Sequence, residues 1–274
     1  MNLVIFTLFS LLSASVVDSS TIANSVYPWL TLPSTPGLPS PQAGPSCGIP
    51  ILFLHGGFGN SDYWGFQIQA LKSSYQCIVM DSRGQGRSTS SSANITYDLM
   101  AADVIGLLNY LGIPQAHIVG WSDGAIIGLN LAMNSPNRLV SLFAFAANYN
   151  TSGAKDISLS SVFNAYLTRT QIEYEQMNPI NDYQSLYNNL TTMWSTLPDW
   201  NQTDSAKIPS TIYAWIVDGD HEEVIYRDQP DTMALWIPQS ANVFSESVNY
   251  LIWKVNAVMK TLTINIKSLI LMKI

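Results

Sequence analysis

Short apolar runs alternate with helix-like segments through most of this chain, and this alternation constrains the fold more than any other feature. The runs are PILFLHG at 50–56, CIVMDSRG at 77–84, AHIVGWS at 116–122, LVSLFAFAA at 139–147 and TIYAWIVDG at 211–219. Helices are predicted at 63–71, 97–111, 123–133 and 228–236. Apolar runs without polar alternation are typical of strands buried on both faces in βαβ units. The sequence therefore predicts an α/β fold with a mostly parallel sheet flanked by helices.

Two regions interrupt the alternation. Residues 21–48 are rich in proline, which excludes helix and central strand and indicates an extended arm. Residues 151–207 contain several Tyr and Trp residues but no strand-like run, and we predict a helical insertion over the sheet. The core is then divided into a first half at 49–150 and a second half at 208–247.

Residues 1–20 have the layout of a secretory signal peptide, with an apolar run before small residues. The alternative is a membrane anchor, but Ser and Asp residues break the run, so we expect a secreted protein with no membrane span after cleavage. Secretion would expose four N-glycosylation motifs, at Asn94, Asn150, Asn189 and Asn201. In an oxidising compartment, Cys47 and Cys77 become a candidate disulfide, the alternative being two buried thiols.

The charge balance bears on partners and cofactors. Only 11% of the 274 residues are charged, and the net charge is -7. An acidic surface repels phosphate backbones, which argues against nucleic acid as a partner. Three histidines and two cysteines leave little from which to build a metal site. We expect no cofactor and no metal.

The motif Gly120-Trp121-Ser122-Asp123-Gly124 lies between a predicted strand and a predicted helix. This is the context of a nucleophile elbow, in which a strained turn raises a serine hydroxyl above the sheet. The start of the helix brings backbone N–H groups beside the serine, where an oxyanion would form. Ser122 is therefore the candidate nucleophile, and the N–H of Asp123 is a candidate oxyanion donor.

A glycine turn, His55-Gly56-Gly57-Phe58-Gly59, follows the first strand. The N–H of Gly57, or of Phe58, could point to the same oxyanion position. The turn lacks the spacing of a phosphate-binding loop. A third segment, DSRGQGRS at 81–88, is interpreted as a hydrogen-bonded turn that braces the oxyanion loop.

With HGGFGNSDYW, DSRGQGRS and GWSDGA in this order, the chain resembles the α/β-hydrolase superfamily, in the serine-dependent branch with a helical cap. The resemblance implies a triad of serine, acid and histidine in chain order. It places the acid three residues after Gly219, at Glu222, with Asp220 as the second candidate. The histidine is expected after a last strand at 241–247.

No histidine follows that strand in the printed chain. His117 starts the strand that ends at Ser122, about 16 Å from it at some 3.3 Å per residue, while His55 and His221 remain poor candidates for the base. Residues 248–274 lack Gly, Pro and acidic residues and consist largely of residue types with AT-rich codons. We interpret this tail as aberrant, as translated intron would be, and expect the intact protein to carry its histidine near position 250.

The sequence thus predicts a secreted serine hydrolase of the esterase type, acting on an ester or related acyl substrate through an acyl-enzyme on Ser122. The chain in its present form would lack the triad histidine. The alternative is a non-catalytic ligand-binding protein with the same fold. Aromatic residues in the insertion suggest an apolar small-molecule substrate, although they could equally serve to pack the insertion on the core.

Overall fold

A parallel sheet of seven strands forms the centre of the computed structural model, which describes residues 6–7, 49–71, 75–219, 222–238 and 240–245. The strands are β1 (Phe6–Thr7), β2 (Ile51–Leu54), β3 (Cys77–Met80), β4 (Ala116–Trp121), β5 (Leu139–Phe145), β6 (Tyr213–Gly219) and β7 (Ser240–Ser245). Their order across the sheet is β1-β3-β2-β4-β5-β6-β7. The predicted α/β fold with a parallel sheet is confirmed.

Helices connect the strands and cover the sheet. They are α1 (Gly65–Leu71), α2 (Tyr97–Tyr110), α3 (Asp123–Asn134), α4 (Ser161–Met177), α5 (Tyr183–Trp194), α6 (Gln202–Ser205) and α7 (Asp228–Trp236). A 3-10 turn at Ser61–Trp64 leads into α1. Side-chain caps account for several of the starting points: the Thr96 hydroxyl accepts the N–H of Leu99, and the Asp182 carboxylate accepts that of Ser185.

The core lies on both faces of the sheet because the central strands are buried on both sides. Every residue of β2 and β3 is buried. Leu52 and Leu54 belong to a large cluster that includes α2 and α3, whereas Ile51 and Phe53 pack in a second cluster on the other face. Removing such side chains from water is the main stabilising contribution to a fold of this kind.

The connections reverse direction beside β2. From β2 the chain passes to β3 on one side, and β4 lies on the other side. In open α/β sheets, a crevice forms at the carboxyl ends of the strands at such a switch point. Leu54 of β2 pairs with Gly120 of β4, so the loops after both strands leave the sheet side by side.

Some sequence predictions concern residues at or beyond the limits of the described structure. Phe6 and Thr7, from the predicted signal segment, form the edge strand beside β3. The remainder of 1–48, the predicted tail at 248–274 and Cys47 lie outside the described residues.

Cys77 is a buried free thiol, so the predicted Cys47–Cys77 disulfide is absent from the structure. Burial raises the pKa of Cys77 to about 11.

The four N-glycosylation motifs differ in their surroundings. The side chains of Asn94 and Asn189 are exposed. Asn201 is also exposed and Asn150 is half-buried, and the side chains of both accept backbone N–H groups at the start of helical turns. Within the described residues, no helix has the length and apolarity needed to cross a membrane.

Candidate active site

Ser122 occupies a strained turn between β4 and α3. Its φ is 52° and its ψ is -121°, a conformation that non-glycine residues rarely adopt and that costs about 1–3 kcal/mol. The Ser122 N–H donates to the Phe145 carbonyl at 2.8 Å, and the Ser122 carbonyl accepts the N–H groups of Ala125 and Ile126. The turn is therefore held from β5 on one side and from α3 on the other.

Two glycines allow this turn to close. A Cβ at Gly120 would lie 2.3 Å from the Gly124 carbonyl oxygen. A Cβ at Gly124 would lie 2.1 Å from the carbonyl oxygen of Leu54, at the end of β2. Both obstacles are backbone atoms, which cannot move aside as a flexible side chain can. The glycines expected from the elbow motif are thus required by close backbone approach.

The loop after β2 is braced by the core. The His55 Nδ1–H donates to the Gly56 carbonyl at 2.7 Å, and His55 Nε2 accepts the N–H of Ser82 at 2.9 Å. The Asp81 carboxylate accepts the N–H of Ser61 at 2.6 Å and the N–H of Arg87 at 2.9 Å. The segment 81–88 therefore has the bracing contacts that its sequence predicts.

Three backbone N–H groups in the two loops next to Ser122 lack an acceptor within the part of the chain that the structure describes. Among the described residues, no acceptor is found for the N–H of Gly57, Phe58 or Asp123. Phe58 has a φ of 62°, a second strained conformation in a non-glycine residue. Unpaired donors beside a serine can stabilise an oxyanion.

The Asp123 side chain is buried directly behind the elbow. Its Oδ1 accepts the Tyr97 hydroxyl at 2.8 Å, and the Trp194 Nε1–H lies 3.0 Å from Oδ1 and 3.1 Å from Oδ2. Burial raises the pKa of Asp123 to about 6, although both donors oppose that shift. Asp123 thereby links the core helix α2 to α5, one of the helices within residues 151–207, the segment that we call the cap.

A cavity of about 410 Å³ opens over Ser122. Its walls are mainly aromatic and aliphatic and include Trp121, Phe163, Tyr166, Trp194 and Leu197. Tyr166 contacts Trp121 edge to face, with 5.8 Å between ring centroids. A partly enclosed apolar cavity with a few polar groups is typical of a small-molecule site.

Glu222 lines this cavity, as the family pattern predicts for the acid. Its Oε1 accepts the N–H of Val224 at 2.9 Å, and its carbonyl accepts the Lys155 ammonium. Burial raises the pKa of Glu222, while the Val224 N–H and the Lys155 ammonium oppose the shift. Asp220, the second candidate acid, lies outside the described residues.

Asp218, at the end of β6, is a buried acid that the sequence did not single out. It is 0% exposed, its Oδ1 accepts the N–H of Gly219 at 2.8 Å, and its Oδ2 has no hydrogen-bond partner among the residues that the structure describes. Burial, and secondly the charge of Glu222, raise the pKa of Asp218 to about 8. Burial therefore favours the neutral form of this carboxyl group.

Neither histidine that the structure describes is placed to take a proton from Ser122. Both ring nitrogens of His55 are engaged in bracing the glycine loop. His117 pairs with Ile51 at the amino end of the sheet, and its Nδ1 lies 2.8 Å from Ser141 Oγ. Burial lowers the pKa of both side chains. His221 lies outside the described residues.

The cap contributes contacts that sequence reasoning missed. The Tyr166 hydroxyl donates to the Gly57 carbonyl at 2.7 Å, and Trp194 binds Asp123. The sequence marked both as aromatic residues of the 151–207 insertion, but nothing in that pattern indicated which loop each would reach. The described residues contain no group of three or more His, Cys, Asp or Glu side chains able to hold a metal ion.

Comparison with known proteins bears on the family. The protein named "putative carbamate hydrolase RutD" from Caulobacter sp. (strain K31) is 38% identical over 100 residues, which are 36% of this chain and 37% of that protein. The matched part is thus little more than a third of that relative's length. Among solved structures, an enol-lactonase from Burkholderia xenovorans LB400 superposes with a TM-score of 0.56 at 17% identity, covering 73% of this chain and 84% of its own.

A hydrolase from Pseudomonas aeruginosa PA01 superposes with a TM-score of 0.60 at 19% identity, covering 74% and 84% of the two chains. At such identities the likeness establishes the fold alone. The model of the alpha/beta hydrolase fold family matches residues 49–230, which is more than half of the chain and includes both loops of the site. With its elbow at Ser122 and its parallel sheet, the chain belongs to the alpha/beta hydrolase fold family.

Proposed function

We propose that this protein is a serine hydrolase of the esterase type, with Ser122 as the nucleophile. One observation carries the proposal: a serine on a strained elbow opens into an apolar cavity beside unpaired N–H groups from two loops. The strain at Ser122 has a cost that the fold must offset, which is common at functional sites. A simple structural turn would not require it.

The proposed reaction has two stages. Ser122 Oγ forms a bond to the acyl carbon, and the carbonyl oxygen becomes an oxyanion held by the N–H of Asp123 and by that of Gly57 or Phe58. Collapse of this intermediate releases the alcohol with the proton that Ser122 gave up, leaving an acyl-enzyme. Water then attacks the acyl-enzyme ester: its oxygen and one proton leave in the acid product, and its other proton goes to Ser122 Oγ.

Proton transfer requires a histidine as the base, and we propose that Glu222 is the acid that orients this histidine. Glu222 lies at the cavity, and a histidine between it and Ser122 would complete a triad. We propose that the intact protein supplies this histidine after β7, and that the tail at 248–274 derives from translated intron. Sequencing of the mature transcript tests the proposal, since an uninterrupted reading frame through Ile274 would refute it.

The cavity suggests a substrate with an apolar acyl or alcohol group, because its lining includes Trp121, Phe163 and Leu197. Similar proteins include one named as a putative carbamate hydrolase and one named as an enol-lactonase. Carbamates and enol-lactones both present a carbonyl carbon to a nucleophile. We therefore propose neutral esters, lactones and carbamates as the first compounds to assay.

Labelling by a fluorophosphonate probe tests the proposal, because the probe reacts with an activated serine. In a chain whose carboxyl end is restored with a histidine after β7, Ser122→Ala should abolish labelling and reduce kcat by several orders of magnitude. Glu222→Gln should also be severe, and Asp220→Asn milder. A restored chain that hydrolyses esters equally well with Ala at 122 would refute the role of Ser122.

A second candidate function is ligand binding without catalysis. It is favoured by the engagement of His55 and His117 elsewhere in the fold, since a serine without a base is a poor nucleophile near neutral pH. In the present chain, Ser122→Ala should then change esterase activity little. Rapid hydrolysis by the present chain that is lost in Ser122→Ala would instead assign the base to a histidine already present.

We also propose that the protein is secreted and glycosylated. The layout of residues 1–20 and the exposure of Asn94 and Asn189 support this. The mature protein should begin between about residues 15 and 24, so that cleavage removes the two-residue edge strand β1 from the sheet, and enzymatic deglycosylation should lower its apparent mass. Amino-terminal sequencing that finds Met1 would contradict secretion.

A further inference from the structure

The glycine loop after β2 contains two peptide groups whose orientations are set by different parts of the molecule. In a trans peptide, the carbonyl and the following N–H point in opposite directions. The Gly56 carbonyl accepts the His55 Nδ1–H at 2.7 Å and the Gly59 N–H at 3.0 Å. These core contacts orient the Gly56–Gly57 peptide and hence the N–H of Gly57.

The next peptide is held from the cap. The Gly57 carbonyl accepts the hydroxyl of Tyr166, a buried residue of α4 that lies 109 positions further along the chain. This bond fixes the Gly57–Phe58 peptide and points the N–H of Phe58 the opposite way. Because Phe58 has a φ of 62°, its conformation is costly and needs support from outside the loop.

Trp194 of the second cap helix contacts both loops of the candidate oxyanion hole. Its indole N–H binds the Asp123 carboxylate, directly beside the turn that presents the Asp123 N–H. A Cβ at Gly57 would lie 2.4 Å from Trp194 Cζ2, so the indole packs against the glycine itself. Trp194 also meets Phe58 edge to face, with 5.4 Å between ring centroids.

We propose that the cap assembles the oxyanion hole. Tyr166 and Trp194 are positioning residues: they hold the Phe58 peptide and the Asp123 turn in the orientation that the hole requires. The hole is then complete only while α4 and α5 rest on the core. This inference rests on the proposed serine chemistry at Ser122. It makes closure of the cap a condition for stabilising the transition state.

The test measures the labelling of Ser122 by a fluorophosphonate in the chain whose carboxyl end is restored with a histidine after β7, and compares Tyr166→Phe and Trp194→Phe with the same chain without these substitutions. At saturating probe, each variant should react about 10-fold to 100-fold more slowly. The upper end of this range equals the smallest rate loss, about 100-fold, that follows removal of one oxyanion donor. Reversible binding of methyl benzoate, a neutral occupant of the cavity, should change less than about twofold because the aromatic walls remain. A loss in both measurements alike would indicate general loosening of the cap and overturn the proposal.

Tyr183→Phe is the matched control. Its hydroxyl lies 3.3 Å from Thr170 Oγ1 and 3.4 Å from the Leu167 carbonyl, both within the cap. Its removal should leave the labelling rate at the wild-type value. If Tyr183→Phe slows labelling as much as Tyr166→Phe does, or if Tyr166→Phe reacts at the wild-type rate, the positioning role is refuted.

A spectroscopic measurement separates this inference from the proposed function. In the ligand-free chain, Tyr166→Phe should shift the amide nitrogen resonance of Phe58, whereas Tyr183→Phe should not. If the chain with the restored carboxyl end is not labelled at Ser122, the proposed function fails, and the spectrum still decides the inference. An unmoved Phe58 resonance in Tyr166→Phe overturns it, and a shift confined to that variant supports it.

Discussion

Replacing Asp218 by Asn should make the protein more stable, increasingly so as the pH rises. The carboxyl group is 0% exposed at the end of β6, its Oδ2 has no partner within the described part of the chain, and burial raises its pKa from 3.8 to about 8. An acid with a raised pKa binds its proton more tightly in the folded state. Between pH 3.8 and about 8, Asp218 is therefore deprotonated in the unfolded chain but keeps its proton in the folded protein. The free energy of unfolding then falls as the pH rises through this window.

The magnitude follows from the size of the shift. Each pH unit inside the window removes about 1.4 kcal/mol from the free energy of unfolding. Over the whole window this amounts to on the order of 5 kcal/mol, a large share of the roughly 5–15 kcal/mol that stabilises a typical protein. Asn cannot ionise, keeps the acceptor for the Gly219 N–H, and resembles the neutral acid in leaving one polar atom unpaired. Near pH 4 the variant and wild type should be nearly equal.

Urea unfolding of both proteins at several pH values between 4 and 8 measures the effect. The difference in free energy of unfolding should grow steadily with pH, by about 1.4 kcal/mol per unit. Asp123→Asn gives a contrast, because the pKa of Asp123 is raised only to about 6, and its pH-dependent gain should stop there. A difference for Asp218→Asn that is independent of pH would refute the reasoning.

Two further predictions concern stability. Gly124→Ala should strongly lower the melting temperature, because its Cβ would lie 2.1 Å from the Leu54 carbonyl oxygen. The Cβ of Gly65→Ala meets nothing within 4 Å, and this variant should stabilise the helix by about 0.5–1 kcal/mol. Equal effects of the two variants would contradict the steric argument. Asp103→Ala should cost about 3–5 kcal/mol in urea unfolding, because Arg83 and Asp103 form a buried ion pair and the guanidinium would lose its charge partner. A cost below about 1 kcal/mol, as at an exposed pair, would contradict that view.

Features governed by local sequence could be predicted without the structure. The predicted helix at 228–236 has the same bounds as α7, and that at 123–133 ends one residue before α3 does. Strand and helix types follow from apolar periodicity over a few residues, which is why these elements could be located. The elbow at Ser122 is also local, since its glycines and the flanking strand and helix lie within a short segment.

Contacts between distant segments were decided only by the tertiary structure. Tyr166 meets Gly57 across 109 positions and Trp194 meets Asp123 across 71, and no period in the sequence relates such residues. The raised pKa of Asp218 and the engagement of both nitrogens of His55 likewise depend on what surrounds them after folding. By itself, the sequence determined the α/β alternation and the serine turn, because these depend on neighbours along the chain. The cap contacts and the altered acidities came from the tertiary structure, because burial and long-range approach exist only in the folded molecule.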